Sequence, residues 1–522
     1  MASVHQEIEI TYDANDAFEL PSLAGLVAGH QGVTPVVEGE AVTQRLSTTY
    51  FDTRDYRLTR AHLTLRRRAG KEGAGWGLTL PDTEGARQEV RLPLGRATVT
   101  VPAPLSNMVW ALTRGEPLMP VATITTERMM HHLVDATGQV LVGVADDRVR
   151  AERLSGTASG GGQVGTWREI EVELRGVDRG WLDAVDAGLR DLGLSVAHAH
   201  SRLARVLAVG DRAPASSGQG KRKPKRPSPK SPAGDVVLRY ANQQVEQILA
   251  NDPQVRLDTP GSVHRMRVAT RRLRSALQTF RPVLDAEVVT PLRAELRWLA
   301  GELGAARDAE VLRARMTAAL HHEDQQVNLG PLGDTVDIDM SQAYRAAHDE
   351  LLEALNSERY HQIVLDLDGL VNAPPLTDKA ARPAAKVLPR RAARAYARLE
   401  GLVTAAHDAP TSAERDVHLH EARKAAKKAR YAGETMTEFF GKPADRFAKA
   451  METLQEELGE HQDSVVMRTR LEALARQETA PTAAFAYGRL HAHEEQRGQL
   501  AVTRFQTAWR QARKKSLRSW MT

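Results

Sequence analysis

The sequence predicts a multidomain α+β chain, with strands in its first half and helices in its second. Three observations carry this. Before residue 210 the hydrophobic pattern has period two. Beyond residue 235 it has a helical period. Between them lies a basic stretch rich in Pro, Ser, Gly and Lys. At 522 residues the chain is long enough for more than one domain.

In the first half, Glu7, Glu9 and Thr11 alternate with Ile8, Ile10 and Tyr12. Leu63, Leu65 and Arg67 alternate with Thr64, Arg66 and Arg68, and Glu169, Glu171 and Glu173 with Ile170, Val172 and Leu174. These read as strands with charge on one face. Gly-rich segments at 69–77 and 155–165 read as loops. After Gly176 a helical pattern runs through Trp181, Leu182, Val185, Leu189 and Leu192, with a second short helix near 199–207. Charged faces on nearly every strand point to a barrel with a polar interior. The alternative is strands with one solvated face and cross-strand ion pairs. An interior holding both signs suits a metal–phosphate complex, because carboxylates bind hard divalent cations and guanidinium groups grip phosphate oxygens.

The stretch RAPASSGQGKRKPKRPSPKSPAG at 212–234 reads as a spacer between domains. The expected boundaries are a first domain at 1–210, a linker at 211–234 and a helical domain at 235–522. The stretch 212–234 contributes seven positive charges without an acid. With a net charge of +5 for the chain, −2 remains for everything else. The folded domains are not basic overall, so an anion site has to come from local clustering.

Such a cluster occurs twice. His264, Arg267, Arg271 and Arg274 share their internal spacing with His420, Arg423, Lys427 and Arg430, and each second-copy position lies 156 residues after the first. At about 100° per residue, four such positions fall within about 80° of arc on a helix. Arg272 and Lys428, also 156 apart, flank the stripes. No acid lies from His264 to Arg274 or from Ala422 to Arg430, so a partner at i±4 is missing for most of this charge. Met266, Ala269, Leu273, Leu277 and Phe280 lie opposite the first stripe and form a core face. Leu303-Gly304 before Arg307-Asp308 returns as Leu458-Gly459 before Gln462-Asp463, now offset by 155. Two such stripes describe a receptor for a long polyanion. Arg390, Arg391, Arg394 and Arg398 form another acid-free run that extends the surface. His264 and His420 read either as donors to phosphate when protonated or as satisfied core histidines.

Composition narrows the alternatives. No apolar run approaches a membrane span, and the N-terminus shows no basic region followed by an apolar stretch, so the expectation is a cytoplasmic protein with no membrane partner. Zero cysteines exclude disulfides and thiolate metal sites. The stripes carry no interleaved aromatics for stacking bases, which disfavours nucleic acid.

The segments VHRMRVATRRLRSAL at 263–277 with ELGAARDAEVL at 302–312, and LHEARKAAKKARYA at 419–432 with ELGEHQDSVVM at 457–467, resemble the CHAD family. The resemblance implies two four-helix halves related by duplication and a basic surface that binds inorganic polyphosphate. It assigns that role to His264, Arg267, Arg271, Arg272, Arg274, Arg390, Arg394, His420, Arg423, Lys427, Lys428 and Arg430. It also implies association with polyphosphate granules.

The first half resembles the CYTH family, the triphosphate tunnel metalloenzymes. The match rests on Glu7 and Glu9, TTYFDTRDYRLTRAHLTLRRR at 48–68, WGLTLP at 76–81, RQEVRLPL at 87–94, VGVADDRV at 142–149 and WREIEVEL at 167–174. CYTH followed by CHAD is a known pairing. The resemblance implies an eight-stranded antiparallel tunnel that binds triphosphate with Mg²⁺ or Mn²⁺. It implies catalytic roles for Glu7, Glu9, Arg66, Arg68, Glu89, Arg91, Arg128 and Arg202. It implies metal ligation by Glu7, Glu9, Asp146, Glu169, Glu171 and Glu173. The sequence departs from the family's Glu-x-Glu-x-Lys signature at Thr11, and Thr79 stands where a Lys usually precedes Leu-Pro. Thr123 and Thr125 stand where basic residues facing the tunnel are expected, while Ser201-Arg202 keeps the charge of the usual Ser-Lys. Each lost ammonium removes a contact worth about 1.5–3 kcal/mol. The expectation is a polyphosphate-binding protein whose tunnel has weak or absent triphosphatase activity. The alternatives are an active Mg²⁺- or Mn²⁺-dependent triphosphatase and a nucleic-acid-binding protein.

Overall fold

A computed structural model describes residues 3–7, 9–27, 37–70, 74–81, 87–95, 100–135, 137–154, 164–174, 179–197, 199, 201–210, 228–324, 332–478 and 480–521. The chain forms two compact units, Met1–Gly220 and Lys221–Thr522.

The first unit is built on strands β1 (Ser3–Glu7), β2 (Glu9–Ala14), β3 (Val37–Glu38), β4 (Val42–Asp52), β5 (Thr64–Ala69) and β6 (Gly75–Pro81). They are followed by β7 (Arg87–Leu92), β8 (Met119–Val134), β9 (Val140–Arg153), β10 (Val164–Leu174) and β11 (Ser195–Val196). The pairing order is β1-β7-β6-β5-β4-β8-β9-β10-β2-β11, with β3 against β8. β1 and β2 are consecutive in the chain, and they pair with β7 and β10 at opposite ends of this path. The N-terminal segment thus closes a circuit of eight antiparallel strands and leaves no long open edge among them.

Period two decides what each face does. One face carries Arg66, Glu89, Arg128, Asp147, Glu169 and Glu171 into the circuit. The other carries apolar stretches, and helices pack around the sheet. These are α1 (Leu23–Val27), α2 (Arg57–Arg60), α3 (Ala103–Met108), α4 (Trp110–Thr113), α5 (Arg179–Asp191) and α6 (Arg202–Gly210). Trp181, Leu182, Val185 and Leu189 of α5 bury Val142, Val144, Ile170 and Val172. The charged strand faces therefore look inward rather than onto solvent. α6 differs from the other helices, because its Leu203 and Val206 pack on Tyr50, Ala122, Ile124, Val149 and Ala151, which lie on the inner face. Asp52 of TTYFDT serves the fold. Its carboxylate accepts the N–H groups of Thr53, Leu58 and Thr59 at 2.7, 2.9 and 2.9 Å, and so shapes the turn into α2.

The Gly-rich segment 69–77 is not all loop, because Gly75 and Gly77 belong to β6. A Cβ on Gly77 would stand 2.5 Å from Glu89 Oε1 and 3.3 Å from Arg66 Nε, and one on Gly75 2.7 Å from the Leu92 carbonyl. Close approach, not turn geometry, selects these glycines. Similarly, Gly165 belongs to β10, while 155–163 lie outside the described residues.

The second unit contains α7 (Ala233–Arg256), α8 (Ser262–Thr279), α9 (Ala286–Asp324), α10 (Leu332–Asn356) and α11 (Glu358–Asn372). It continues with α12 (Ala384–Val387), α13 (Pro389–His407), α14 (Ser412–Phe440), α15 (Lys442–Gln477) and α16 (Pro481–Ala512). α13 begins 156 residues after α7, and α15 begins 156 after α9. The duplication read from the stripes is thus a duplication of whole helices. α7 to α10 pack in sequence, α13 to α16 do the same, and α8 meets α14 across the two halves. The expected core face of α8 is buried at Met266, Ala269, Leu273, Leu277 and Phe280. α14 buries Ala422, Ala425, Ala426 and Ala429, whose small side chains permit close helix approach. Of the expected linker, 211–227 lie outside the described residues. Residues 228–234 belong to the helical unit, where Ala385 N–H donates to the Pro229 carbonyl and Ala384 N–H to that of Ser231.

Replacing Gly77 by Ala drives a methyl group into the Arg66–Glu89 pair. The expected effect is a loss of about 1–3 kcal/mol of stability in the first unit, read by urea unfolding. A neutral Gly77→Ala would place that pair elsewhere.

Candidate functional site

The inner face of the strand circuit gathers charge of both signs. β9 and β10 place Asp147, Glu169 and Glu171 so that one oxygen of each lies within 4.8 Å of the others. Arg128 stands opposite Asp147 on β8 and grips it twice, Nε and Nη2 donating at 2.8 and 2.6 Å. Its Nη2 also reaches Glu171 at 3.2 Å. Arg202, the first residue of α6, donates to Asp147, Glu169 and Glu171, the last at 2.8 Å. Trp167 Nε1 donates to Glu169 at 2.6 Å. A second knot lies on β5 and β7, where Arg66 Nη2 and Arg91 Nε each donate to Glu89 at 2.6 Å.

These pairs set the ionisation. Burial pushes the Glu171 carboxyl up, but Arg128, Arg202, Arg66 and Arg68 outweigh it and hold the group at about 2. Burial likewise raises Glu89, and Arg66 and Arg91 bring it down to about 2. Arg68 is the exception among the cations. Its Nε has no acceptor among the described residues. The neighbouring charge of Arg66, followed by burial, pushes it down to about 10.

Three sequence expectations need correction. Asp146 faces out of the circuit. It pairs in register with Ile170 and Met129, and Arg168 holds its carboxylate with Nε and Nη2 at 2.9 and 2.7 Å. Arg168 also ties down the carbonyls of Asn15, Asp16 and Phe18, so the Asp146 pair serves the fold. Asp147 is the inward acid that the sequence reading missed. The signal was parity, since Asp146 shares its face with Val142 and Val144. Thr123 and Thr125 also face outward, on the side of the exposed Arg45–Glu127 pair. They replace no tunnel cation. Thr11 and Thr79 do face inward, opposite Glu171 and Glu89. Glu9 and Glu173 stand opposite each other across β2 and β10. The Glu7 side chain lies outside the described residues.

In the helical unit, α8 and α14 bring the two stripes together. Arg267 Nη2 lies 3.4 Å from Asp308, and Arg423 Nη1 lies 3.8 Å from Asp463. Both guanidinium groups lie against the glycine of the repeated Leu-Gly pair. A Cβ on Gly304 would stand 3.6 Å from Arg267 Nη2, and one on Gly459 3.1 Å from Arg423 Nη2. Lys427 sits among them. Burial, followed by Arg423, Arg271 and Arg267, pushes it down to about 7. Burial, followed by Arg307, Arg271 and Arg267, lowers His264. His420 Nδ1 donates to Gln462 Oε1 at 2.9 Å, which leaves Nε2 as its other polar atom.

The charge is not unpaired throughout. Glu434, four residues past the acid-free window, accepts from Arg430 at 2.7 Å and lies 3.1 Å from Arg272. Glu452 holds Arg430 at 2.7 Å, and Tyr240 donates to Glu434 at 3.0 Å. Arg272 and Arg430 also stack on the Tyr431 ring at 5.8 Å each. These two expected polyanion contacts are committed to the fold. Lys428 and Arg274 keep no ion pair among the described residues, and Arg390 and Arg394 are exposed on α13. Arg293 and Arg297 of α9 press electrostatically on Arg274, and the stripe spacing gave no sign of them.

Because Lys427 is depressed in the fold, its cost to stability begins as pH falls below the unfolded lysine range and is complete below about 7. Stability should therefore rise between pH 7 and 9, and Lys427→Met should flatten that rise and stabilise the protein at pH 7. Urea unfolding at pH 7, 8 and 9 measures both. Parallel pH profiles for the two proteins would show that Lys427 is not strained.

A CYTH domain is matched over residues 35–196 and a CHAD domain over residues 239–472. Uncharacterized proteins of Mycobacterium tuberculosis strains CDC 1551 / Oshkosh and ATCC 25618 / H37Rv are each 35% identical over 506 residues, spanning 94% of this chain and 93% of theirs. Among solved structures, PptA from Streptomyces chartreusis is 26% identical, covering 54% of this chain and 100% of its own with a TM-score of 0.45. The CHAD domain from the plant Ricinus communis is 29% identical, covering 56% and 93% with a TM-score of 0.40. With both domains matched in order and a relative aligned over nearly its whole length, the chain belongs to the CYTH–CHAD family of two-domain proteins.

Proposed function

We propose that the helical unit binds inorganic polyphosphate and that the tunnel is a partly degraded triphosphate site with weak or absent hydrolase activity. One observation carries the first part. Arg267, Arg271, Arg423 and Lys427, drawn from both halves, face one another, with Asp308 and Asp463 as their ion-pair partners among the described residues. Such a cluster is stabilised by an anion with repeated charge and no required base edge. Tyr431, the aromatic ring among these cations, is only 2% exposed, so bases find no stacking surface there. That favours polyphosphate over nucleic acid.

In the tunnel, Asp147, Glu169 and Glu171 offer hard oxygen donors that fit Mg²⁺ or Mn²⁺. A bound ion would neutralise charge on the phosphate groups. Arg68 stands ready for an anion, while Arg66, Arg91, Arg128 and Arg202 are already held by carboxylates. Thr11 and Thr79 supply no charge at two inward positions. This supports a site that takes up triphosphate poorly.

Calorimetric titration with long-chain polyphosphate should give binding that weakens steeply with salt. Arg271→Ala with Lys427→Ala should cost at least about a hundredfold, at about 1.5–3 kcal/mol per lost contact. Single-stranded DNA binding as tightly as polyphosphate would instead support the nucleic-acid reading.

Phosphate release from inorganic triphosphate with Mg²⁺ and then Mn²⁺ tests the tunnel. We expect none above a Glu9→Ala control, and a gain on combining Thr11→Lys with Thr79→Lys. Robust release by the natural protein, abolished in Glu9→Ala, would make it an active triphosphatase.

A further inference from the structure

We propose that the polyanion leaves the central cluster in one direction only, over a second basic surface formed by Arg274, Arg293, Arg297, Lys428 and Arg398. This rests on the polyphosphate reading above. The duplication creates two equivalent flanks beside the central cluster, related by the 156-residue offset, and they have diverged in charge.

On the flank built around the end of the second stripe, Glu434 and Glu452 neutralise Arg430 and Arg272. A cavity of about 460 Å³ opens there, where Glu452 and Glu456 stand among Arg265, Arg271, Arg272 and Arg430. Carboxylates at its wall repel phosphate. On the other flank the position of Glu434 is taken by Gln278, and that of Glu452, at the 155 offset of the Leu-Gly pairs, by Arg297. Arg274 and Lys428, the equivalents of Arg430 and Arg272, keep their charge without an ion pair among the described residues.

Further cations extend this flank. Arg293 and Arg297 on α9 act on Arg274, and Arg398 on α13 acts on Lys428, as do Arg274 and Arg293, against the opposing charge of Glu421, which Lys424 holds at 2.7 Å. α8 packs on both α9 and α14, and α13 packs on α14, so the three helices deliver these groups to one side. The Arg293 Nε is buried without an acceptor among the described residues. The closed flank lacks counterparts. At the 155 offset Ala448 stands for Arg293 and Glu452 for Arg297, Asn242 replaces Arg398, and the neighbouring Lys449 is held by Asp445 at 2.9 Å. A chain of phosphates crossing the central cluster thus meets continued positive charge on one side and carboxylates on the other.

The test compares the full-length protein with Arg293→Ser/Arg297→Ser and with Lys449→Ser, by calorimetric titration of short-chain and long-chain polyphosphate. The double variant should keep short-chain affinity within about twofold, lose about tenfold or more in long-chain affinity and show a shallower salt dependence. Lys449→Ser should match the natural protein for both ligands. Equal losses for short and long chains, no loss in the double variant, or an equal long-chain loss in Lys449→Ser would overturn the one-sided path. The polyphosphate reading fails separately, if the natural protein binds neither chain length.

Discussion

Burying an arginine is unfavourable by several kcal/mol unless a carboxylate meets it at hydrogen-bond distance. The two units resolve this in opposite ways. In the tunnel, Arg128 and Arg202 are buried because Asp147, Glu169 and Glu171 meet them, and those carboxylates stay ionised because the guanidinium groups are there. The closed circuit holds the partners in register, and α6 delivers Arg202 by burying Leu203 and Val206 on the inner face. In the helical unit, Arg267 and Arg423 have acids at 3.4 and 3.8 Å, longer than the 2.6–2.8 Å contacts of the Arg128–Asp147 pair. Burial, followed by Arg423, Arg271 and Arg267, outweighs Asp463 at Lys427 and pushes it down to about 7.

Much of this was legible in the sequence, for definite reasons. A helical stripe is a local pattern, so His264, Arg267, Arg271 and Arg274 could be placed on one face from spacing alone. The offset of 156 foretold that α13 and α15 repeat α7 and α9. Strand parity was weaker evidence. Val142 and Val144 are buried outside the circuit, yet Val149 and Ala151 are buried inside it, so hydrophobicity alone does not tell Asp146 from Asp147. Pairings across the fold were not legible. Glu434 lies just beyond the acid-free window, and its grip on Arg272 joins helices whose contact no local pattern encodes.

Duplication explains why the helical unit holds so much like charge in one place. Two copies of a basic helix related by approximate symmetry meet along the same face, so Arg271 and Lys427 confront each other as equivalents. Neither copy on its own reaches this density. Divergence at a few positions then gave the two flanks different character, because exchanging Gln278 for Glu434 alters the charge without altering the helix. The glycines at 304 and 459 mark what both copies retained. An added Cβ on Gly459 would stand 3.1 Å from Arg423 and shift it, whereas on Gly304 it would meet Arg267 at 3.6 Å in ordinary contact.

The same contrast bears on how each unit would meet a phosphate chain. An anion entering the tunnel has to draw Arg66, Arg128 or Arg202 away from carboxylates that already satisfy them, and a divalent cation has to share oxygens those groups now hold. New contacts are offset by the ones broken, so among the described residues Arg68 is the cation that offers attraction without exchange. An anion reaching the helical cluster breaks little. It relieves repulsion among Arg267, Arg271 and Arg423, and restores Lys427 to its charged state by supplying the negative partner that the fold withholds. Repulsion stored in the folded helices becomes binding free energy, whereas in the tunnel the equivalent free energy is already used within the protein. Two sites built from the same side chains would then differ in affinity, because one is completed by its own carboxylates and the other is not.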